Sequence, residues 1–234
     1  MSTLATINTE VDRIIKDNGG FLDTTDIDSF IQNQAVAHYS RHKPYFAITD
    51  ISGDGTYSYE MTVTRFPYWK DGFSEIKWVR YPADEYQDPG AEKIDREDFT
   101  IYENASTKYL RFKTISPSAG KTIRTKYSGF HSVPATGDTT IYDADLGAFY
   151  NLVGAFCMMA MANRAGQNSE STIGADAVAY RDKSDVFGSR AKDLLKSYTD
   201  MIFPTVGAAI AQREFDTIYQ ELGYARLTHR EWAR

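Results

Sequence analysis

The sequence is poor in residues that form disulfides and metal sites. Its 234 residues include one cysteine, Cys157, and four histidines. A single cysteine cannot form a disulfide within the chain, so the sequence gives no sign of an oxidising compartment. Cys157 lies in an apolar stretch, where a thiol packs as a small hydrophobic group and is inert as a nucleophile. The fold must therefore depend on an ordinary hydrophobic core.

An excess of positive charge is also missing. The chain has 26 Lys and Arg residues against 32 Asp and Glu, a formal net charge of −6, and no predicted face carries a basic stripe. A protein that binds nucleic acid regardless of sequence needs several cations on one surface to displace counterions. We therefore do not expect this chain to be such a protein.

Three partial motifs fail to complete a chemical site. Residues 118–122 resemble the end of a phosphate-binding loop, but the first glycine of that motif is missing and a strand is expected to follow, which favours a hairpin turn. Residues 50–55 resemble a calcium loop, but Met61 stands where its bidentate acid belongs. His38 and His42 lie one helical turn apart without a third ligand nearby. The sequence thus predicts no catalytic, cofactor-binding or metal-binding residues, and a protein that is not an enzyme.

One apolar run, residues 144–162, approaches the length of a membrane-spanning helix. Asp145 and Asn151 interrupt it, and its many Gly and Ala residues lower its hydrophobicity. Its larger apolar side chains recur at helical spacing on one face. We therefore expect a buried packing helix and not a membrane span.

Aromatic residues are abundant and unevenly distributed. They make up 14% of the chain, and more than half of them, with six of the seven prolines, fall within residues 43–135. Short runs of alternating polarity separated by turn residues predict antiparallel strands there. Helical spacing marks residues 4–17 and 25–42 before this region, and 144–162 and 175–201 after it. The last two helices are expected to pack on each other.

These patterns predict an α+β fold, a helical bundle of long antiparallel helices with an inserted antiparallel β module. Residues 1–42 and 136–202 would form the helical core. Residues 43–135 would form the inserted β-strand module, and residues 203–234 a C-terminal helix and arm.

A series of short motifs also runs through the chain in a fixed order. They are Asp50-Ile-Ser-Gly-Asp-Gly-Thr-Tyr-Ser-Tyr, Trp69-Lys-Asp-Gly-Phe-Ser-Glu-Ile, Tyr81-Pro, Phe99-Thr-Ile-Tyr, Leu110-Arg-Phe, Ile123-Arg-Thr-Lys-Tyr, the alanine-rich helix 144–165, and Thr172-Ile-Gly-Ala-Asp-Ala-Val-Ala-Tyr-Arg-Asp-Lys-Ser-Asp. In this order the chain resembles the head–tail connector (neck adaptor) proteins of tailed bacteriophages. The similarity covers roughly residues 24–202 and leaves both ends unmatched.

The resemblance implies a virion structural protein that carries no catalytic residues. Such an adaptor forms a homo-oligomeric ring, expected to be a dodecamer, docks on the portal protein and links it to the next neck or tail protein. Genome DNA would pass through the channel without sequence-specific binding. The expected location is the neck of the virion, with the host cytoplasm during assembly, and no membrane is involved.

The C-terminal arm is the candidate partner-binding segment. It carries Arg226, Arg230, Trp232 and Arg234 and has no apolar periodicity of its own. Trp and Arg are among the residues that most often anchor interfaces. A frayed terminus without a partner is the alternative interpretation.

A second hypothesis treats the β module as a glycan-binding surface of a virion-associated protein. The rings that would stack on sugars are those of Tyr57, Tyr59, Tyr68, Trp69 or Trp78. Side chains alternate between the two faces of a strand, so about half of these rings should lie in the core.

Overall fold

The computed structural model describes residues 2–17, 20–83, 93–167 and 174–204. In chain order the elements are α1 (Leu4–Ile15), α2 (Thr24–Ser29), a π-helical segment (Phe30–Ala35), α3 (Val36–His42), β1 (Tyr45–Ser52), β2 (Ser58–Glu60), β3 (Ile76–Arg80), β4 (Lys93–Ile94), β5 (Phe99–Asn104), β6 (Thr107–Phe112), β7 (Thr122–Gly129), α4 (Leu146–Gln167) and α5 (Gly174–Ile202). Short 3-10 turns at Arg96–Asp98 and Asp143–Asp145 precede β5 and α4.

Helix α4 is the centre of the helical core. It contacts α1, the π-helical segment and α5, and large side chains such as Phe149 and Leu152 are fully buried. By length and hydropathy alone α4 is apolar enough to cross a membrane. Its contacts with the other helices instead give it the surroundings of a core helix.

The expected pairing of the last two helices is confirmed. Helix α5 lies antiparallel to α4, with Ala191 and Tyr198 almost fully buried. The hydroxyl of Ser184 donates a hydrogen bond to the carbonyl oxygen of Ala162 at 2.9 Å. Met201, at the end of the predicted apolar stripe, is instead 55% exposed.

The prediction of a bundle of long antiparallel helices is wrong. The fold is a mixture of helices and two antiparallel sheets. Of the described helices, only α4 and α5 exceed 20 residues; α1 has 12, and the helix predicted over residues 25–42 contains a π-helical segment. Helical spacing marks the buried face of a segment, but it does not set the number of turns or the number of partner helices.

The strands form two sheets with a core of their own. One sheet has the order β1-β7-β3-β4 and the other β2-β6-β5, and every pairing is antiparallel as predicted. The buried residues between them are Ala47, Ile51, Tyr59, Phe66, Ile76, Val79, Phe99, Leu110, Phe112, Ile123 and Tyr127. The helical core is a separate cluster, so the chain has two hydrophobic centres.

The close approach of α1, α4 and α5 depends on Gly154. A Cβ atom at this position would lie 3.1 Å from a methyl carbon of Ile14 and 3.4 Å from one of Leu194. We predict that Gly154→Val lowers the free energy of unfolding by about 1–3 kcal/mol, because overpacking forces the helices apart.

Gly188 of α5 supplies the matched control, since a Cβ atom there meets nothing within 4 Å. Gly188→Val should change the free energy of unfolding by less than about 1 kcal/mol. Urea denaturation followed by circular dichroism measures both variants. Equal losses in the two would contradict the packing role of Gly154.

Candidate interaction surface

The outward face of the four-stranded sheet is the candidate interaction surface. Strand alternation directs Ala47, Ile51 and Val79 into the core and their neighbours outward. Strand register then aligns the outward residues in rows across the sheet. The first row is Ile48, Lys126 and Trp78; the second is Asp50, Arg124, Arg80 and Lys93. Phe46 begins a third row beside the first.

This face combines exposed apolar groups with cations. Phe46 is 44% exposed and Ile48 is 54% exposed. The Nζ atom of Lys126 lies 5.5 Å from the centre of the Phe46 ring, and the guanidinium of Arg80 lies 4.8 Å from that of Trp78. Such cation–π contacts hold long side chains flat against rings. The exposed apolar groups of this face therefore lie at its β1 end, beside Lys126.

The second row is dominated by positive charge. Arg124 donates two hydrogen bonds to the carboxylate of Asp50, each 2.8 Å long. Counting the strand residues of both rows, four cations (Arg80, Lys93, Arg124 and Lys126) oppose one carboxylate, a net charge of +3. A groove of about 530 Å³ runs over this row and includes Ile48 and Trp78. The overall charge of the chain has the opposite sign.

A buried polar joint fixes the β module to the helical core. The carboxylate of Asp145 accepts a hydrogen bond from the Tyr39 hydroxyl at 2.6 Å and bonds from the Lys43 ammonium at 2.8 and 2.9 Å. Asp145 immediately precedes α4, and Lys43 is the residue at which α3 ends. The pair therefore joins the central helix to the start of β1.

His131 adds a further connection to this joint. It lies in the segment that follows β7 and leads back to the helical core. Its Nδ1 lies 2.7 Å from the carbonyl oxygen of Thr140, and its Nε2 lies 3.0 Å from that of Lys43. A neutral imidazole donates to one of these oxygens, whereas the protonated ring donates to both. Burial lowers the pKa of His131, and the two carbonyl groups and Asp145 oppose that shift.

His38 and His42 pack together against α5. The ring of His42 stacks on Tyr198, whose hydroxyl lies 2.7 Å from His42 Nδ1. The ring of His38 meets His42, Phe156 and Tyr198 edge-on. Within the described ranges no three His, Cys, Asp or Glu side chains gather as metal ligands would. Both histidines therefore pack at the edge of the helical core, where His38 is half-buried and His42 is exposed.

The other partial motifs are turns. Gly120 has a φ of +79° in a turn closed by a 3.1 Å hydrogen bond from the Lys121 N–H to the Ser118 carbonyl oxygen, and strand β7 follows. Residues 118–122 therefore form a turn, but not the expected hairpin, because β6 and β7 belong to different sheets. Gly55 has a φ of +83° in the turn after β1. There the carboxylate of Asp54 accepts hydrogen bonds from the backbone N–H and the hydroxyl of Thr56.

The predicted partner-binding arm cannot be compared with the structure. Arg226, Arg230, Trp232 and Arg234 lie outside the described residues, as does the rest of the predicted C-terminal helix and arm beyond residue 204. The surface that the structure does reveal was not predicted from sequence. The one signal for it was the alternation of β7, in which Arg124 and Lys126 point away from the apolar residues.

The rings proposed for sugar stacking do not test strand alternation, because of the five only Tyr59 and Trp78 lie in strands. Tyr59 is only 2% exposed and belongs to the core, whereas Tyr57 is 50% exposed. Trp69 packs against Phe66 and its indole N–H donates to Asp71 at 2.9 Å. These rings do not form one exposed platform.

No family model matches the chain, and no curated protein is significantly similar to it.

The joint generates a prediction about stability. Asp145→Ala removes the acceptor of Tyr39 and Lys43. It leaves the hydroxyl of the fully buried Tyr39 unpaired, whereas the Lys43 side chain is 37% exposed and its ammonium can reach water. We expect a loss of about 1–3 kcal/mol in the free energy of unfolding. Asp50→Ala removes a carboxylate that is 47% exposed from its ion pair with Arg124 and leaves no buried hydroxyl unpaired, so it should cost less than about 1 kcal/mol. Thermal and urea denaturation of the two variants compare these sites, and an equal effect would refute the special role of the joint.

The partial burial of His38 leads to a prediction about the pH dependence of stability. Burial lowers the pKa of His38 below its ordinary 6.5, and the positive charges of His42 and Arg41 lower it further. Between the folded pKa and 6.5 the unfolded chain binds more protons, so stability falls as the pH drops through this window. The slope is at most about 1.4 kcal/mol per pH unit for each histidine.

His38→Phe tests this assignment, because it retains a ring and removes the titrating group. Unfolding curves between pH 7.5 and 5.5 should show a shallower loss of stability in the variant than in the wild type. An unchanged slope would show that His38 does not contribute.

Proposed function

We propose that this chain is a head–tail adaptor, a structural subunit of the neck of a tailed bacteriophage. It would assemble as a ring beneath the portal protein and offer a platform to the next neck or tail component. Genome DNA would pass through the ring without sequence-specific contacts. Such a role requires surfaces that bind neighbouring proteins, and it requires no catalytic residues.

The observation that carries the proposal is the exposed sheet face. Phe46 and Ile48 present apolar surface beside Lys126, in a region whose other large apolar residues are mostly covered. An apolar patch bordered by charged groups is typical of a protein–protein contact. The order of sequence motifs from Asp50 to the segment beginning at Thr172 adds the link to phage connectors.

The division of the fold into two hydrophobic centres suits a subunit that contacts several partners. The β module and the helical core have separate hydrophobic centres, so each can present its own surface on one rigid joint. In a ring, every subunit must offer two different faces to its neighbours. A third surface must then bind the portal.

The first test is electron microscopy of the full-length protein mixed with the portal of the same phage, classified by rotational symmetry. We predict an added ring of density on the portal, with the portal's own symmetry. Two particles that never associate would contradict the adaptor role.

The arm can be tested in the same assay. Truncation after Gly223, or substitution of Arg226, Arg230 and Trp232 by alanine, should reduce co-sedimentation with the portal while leaving the melting temperature unchanged. Full portal binding by the truncated chain would show that the arm is not the partner-binding segment.

A further inference from the structure

One edge of the four-stranded sheet, formed by β1, exposes two apolar side chains beside a lysine. Strand β1 is an edge strand in the order β1-β7-β3-β4. Its outward side chains Phe46 and Ile48 are about half exposed. Lys126 lies beside both, as the cross-strand partner of Ile48 and over the ring of Phe46. We call these three residues the apolar–cationic edge.

A depression on the helical core has the opposite character. It encloses about 570 Å³ between α1 and α2. Three aspartates and one lysine give it a net charge of −2. These charged residues are Asp12, Asp17, Asp23 and Lys16. Of the three aliphatic residues beside them, Leu22 is partly exposed, whereas Ile15 and Ile27 are buried beneath the depression at 3% and 5% exposure. We call this feature the acidic depression.

The two features are complementary in charge, and both expose some apolar surface, Phe46 and Ile48 on the edge and Leu22 in the depression. Docking the edge in the depression would remove Phe46 and Ile48 from water, which is favourable for apolar surface. The same movement would bring the Lys126 ammonium to the carboxylates. We propose that the apolar–cationic edge of one subunit docks in the acidic depression of a second copy of this chain. The inference deepens the proposed function, because it names the contact that would build the ring.

A symmetric contact between two copies is disfavoured. Pairing edge with edge would place Lys126 of one copy against Lys126 of the other, and like charges repel. Contact between different patches leaves one unused edge at one end of the growing assembly and one unused depression at the other end, until a ring closes. This arrangement is the one that a ring subunit requires.

Nucleic acid is the other class of partner that a cationic face suggests. The described rows of the sheet have a net charge of +3, but the edge itself holds one cation among exposed apolar groups. Sequence-independent DNA binding depends on many phosphate contacts. A protein surface that carries aspartates therefore matches this edge better than DNA does. DNA binding by this face would overturn the proposal.

Engineered cysteines provide a direct test. The native Cys157 is fully buried, and burial raises the pKa of its thiol to about 12, so it does not compete for a cross-linker. Ile48→Cys places a thiol on the edge, and Thr24→Cys places one at the depression. Thr100→Cys is the matched control, on an exposed strand position of the other sheet.

The full-length variants are treated with a short bismaleimide, alone, in pairs and with portal present. We expect a cross-linked dimer when Ile48→Cys and Thr24→Cys are mixed, and a ladder of oligomers when one chain carries both cysteines. Neither variant should link to itself or to Thr100→Cys. Self-linking of Ile48→Cys, or no mixed product at high concentration and none on the portal, would overturn the proposal.

Charge exchange gives an independent measurement. Lys126→Glu should abolish the mixed cross-link, and adding Asp12→Lys on the partner copy should restore it. Failure of the restoration, or a gel shift with DNA that Lys126→Glu removes, would count against a second copy as the occupant. A ring on the portal without the cross-link would refute this contact alone, whereas the cross-link without portal binding would refute the adaptor role alone.

Discussion

The contact of Asp145 with Tyr39 and Lys43 is the constraint on which the rest of the structure depends. It lies where the chain leaves the helical core at the start of β1, and His131 binds the same turn where the chain returns after β7. Both crossing strands are thereby tied to the start of α4. The His131 N–H also donates to the Ser40 hydroxyl at 2.9 Å, and the His131 ring packs against Tyr39 and Tyr45, so these contacts together help to fix the direction of the sheet face.

The proposed adaptor role needs a fixed direction, because that role depends on geometry and not on chemistry. The polar groups of the joint are directed inward and hydrogen-bonded, whereas the outward sheet face keeps Phe46, Ile48 and several cations at the surface. A contact surface on a rigid joint loses less conformational entropy on assembly than one on a flexible linker. This is the physical advantage that a small β module offers to a helical subunit.

Much of the local structure was predictable from the sequence, and the tertiary arrangement was not. Alternation between residues 43 and 135 identified antiparallel strands, and helical spacing identified the contact of α4 with α5. The bundle of long helices was wrong because spacing does not reveal where a helix ends or that Phe30–Ala35 winds as a π-helix. The sheet face was missed because it depends on register between β1, β7 and β3, and the joint because Tyr39 and Asp145 are 106 positions apart.

In the proposed adaptor, the outward sheet face becomes buried on assembly. Hydroxyl-radical footprinting of the free protein and of the protein assembled on its portal tests this claim directly. We predict that oxidation of Phe46 and Ile48 falls sharply on assembly, while that of Tyr57, which is exposed elsewhere in the module, stays the same. Equal oxidation of Phe46 and Ile48 in both states would contradict the account.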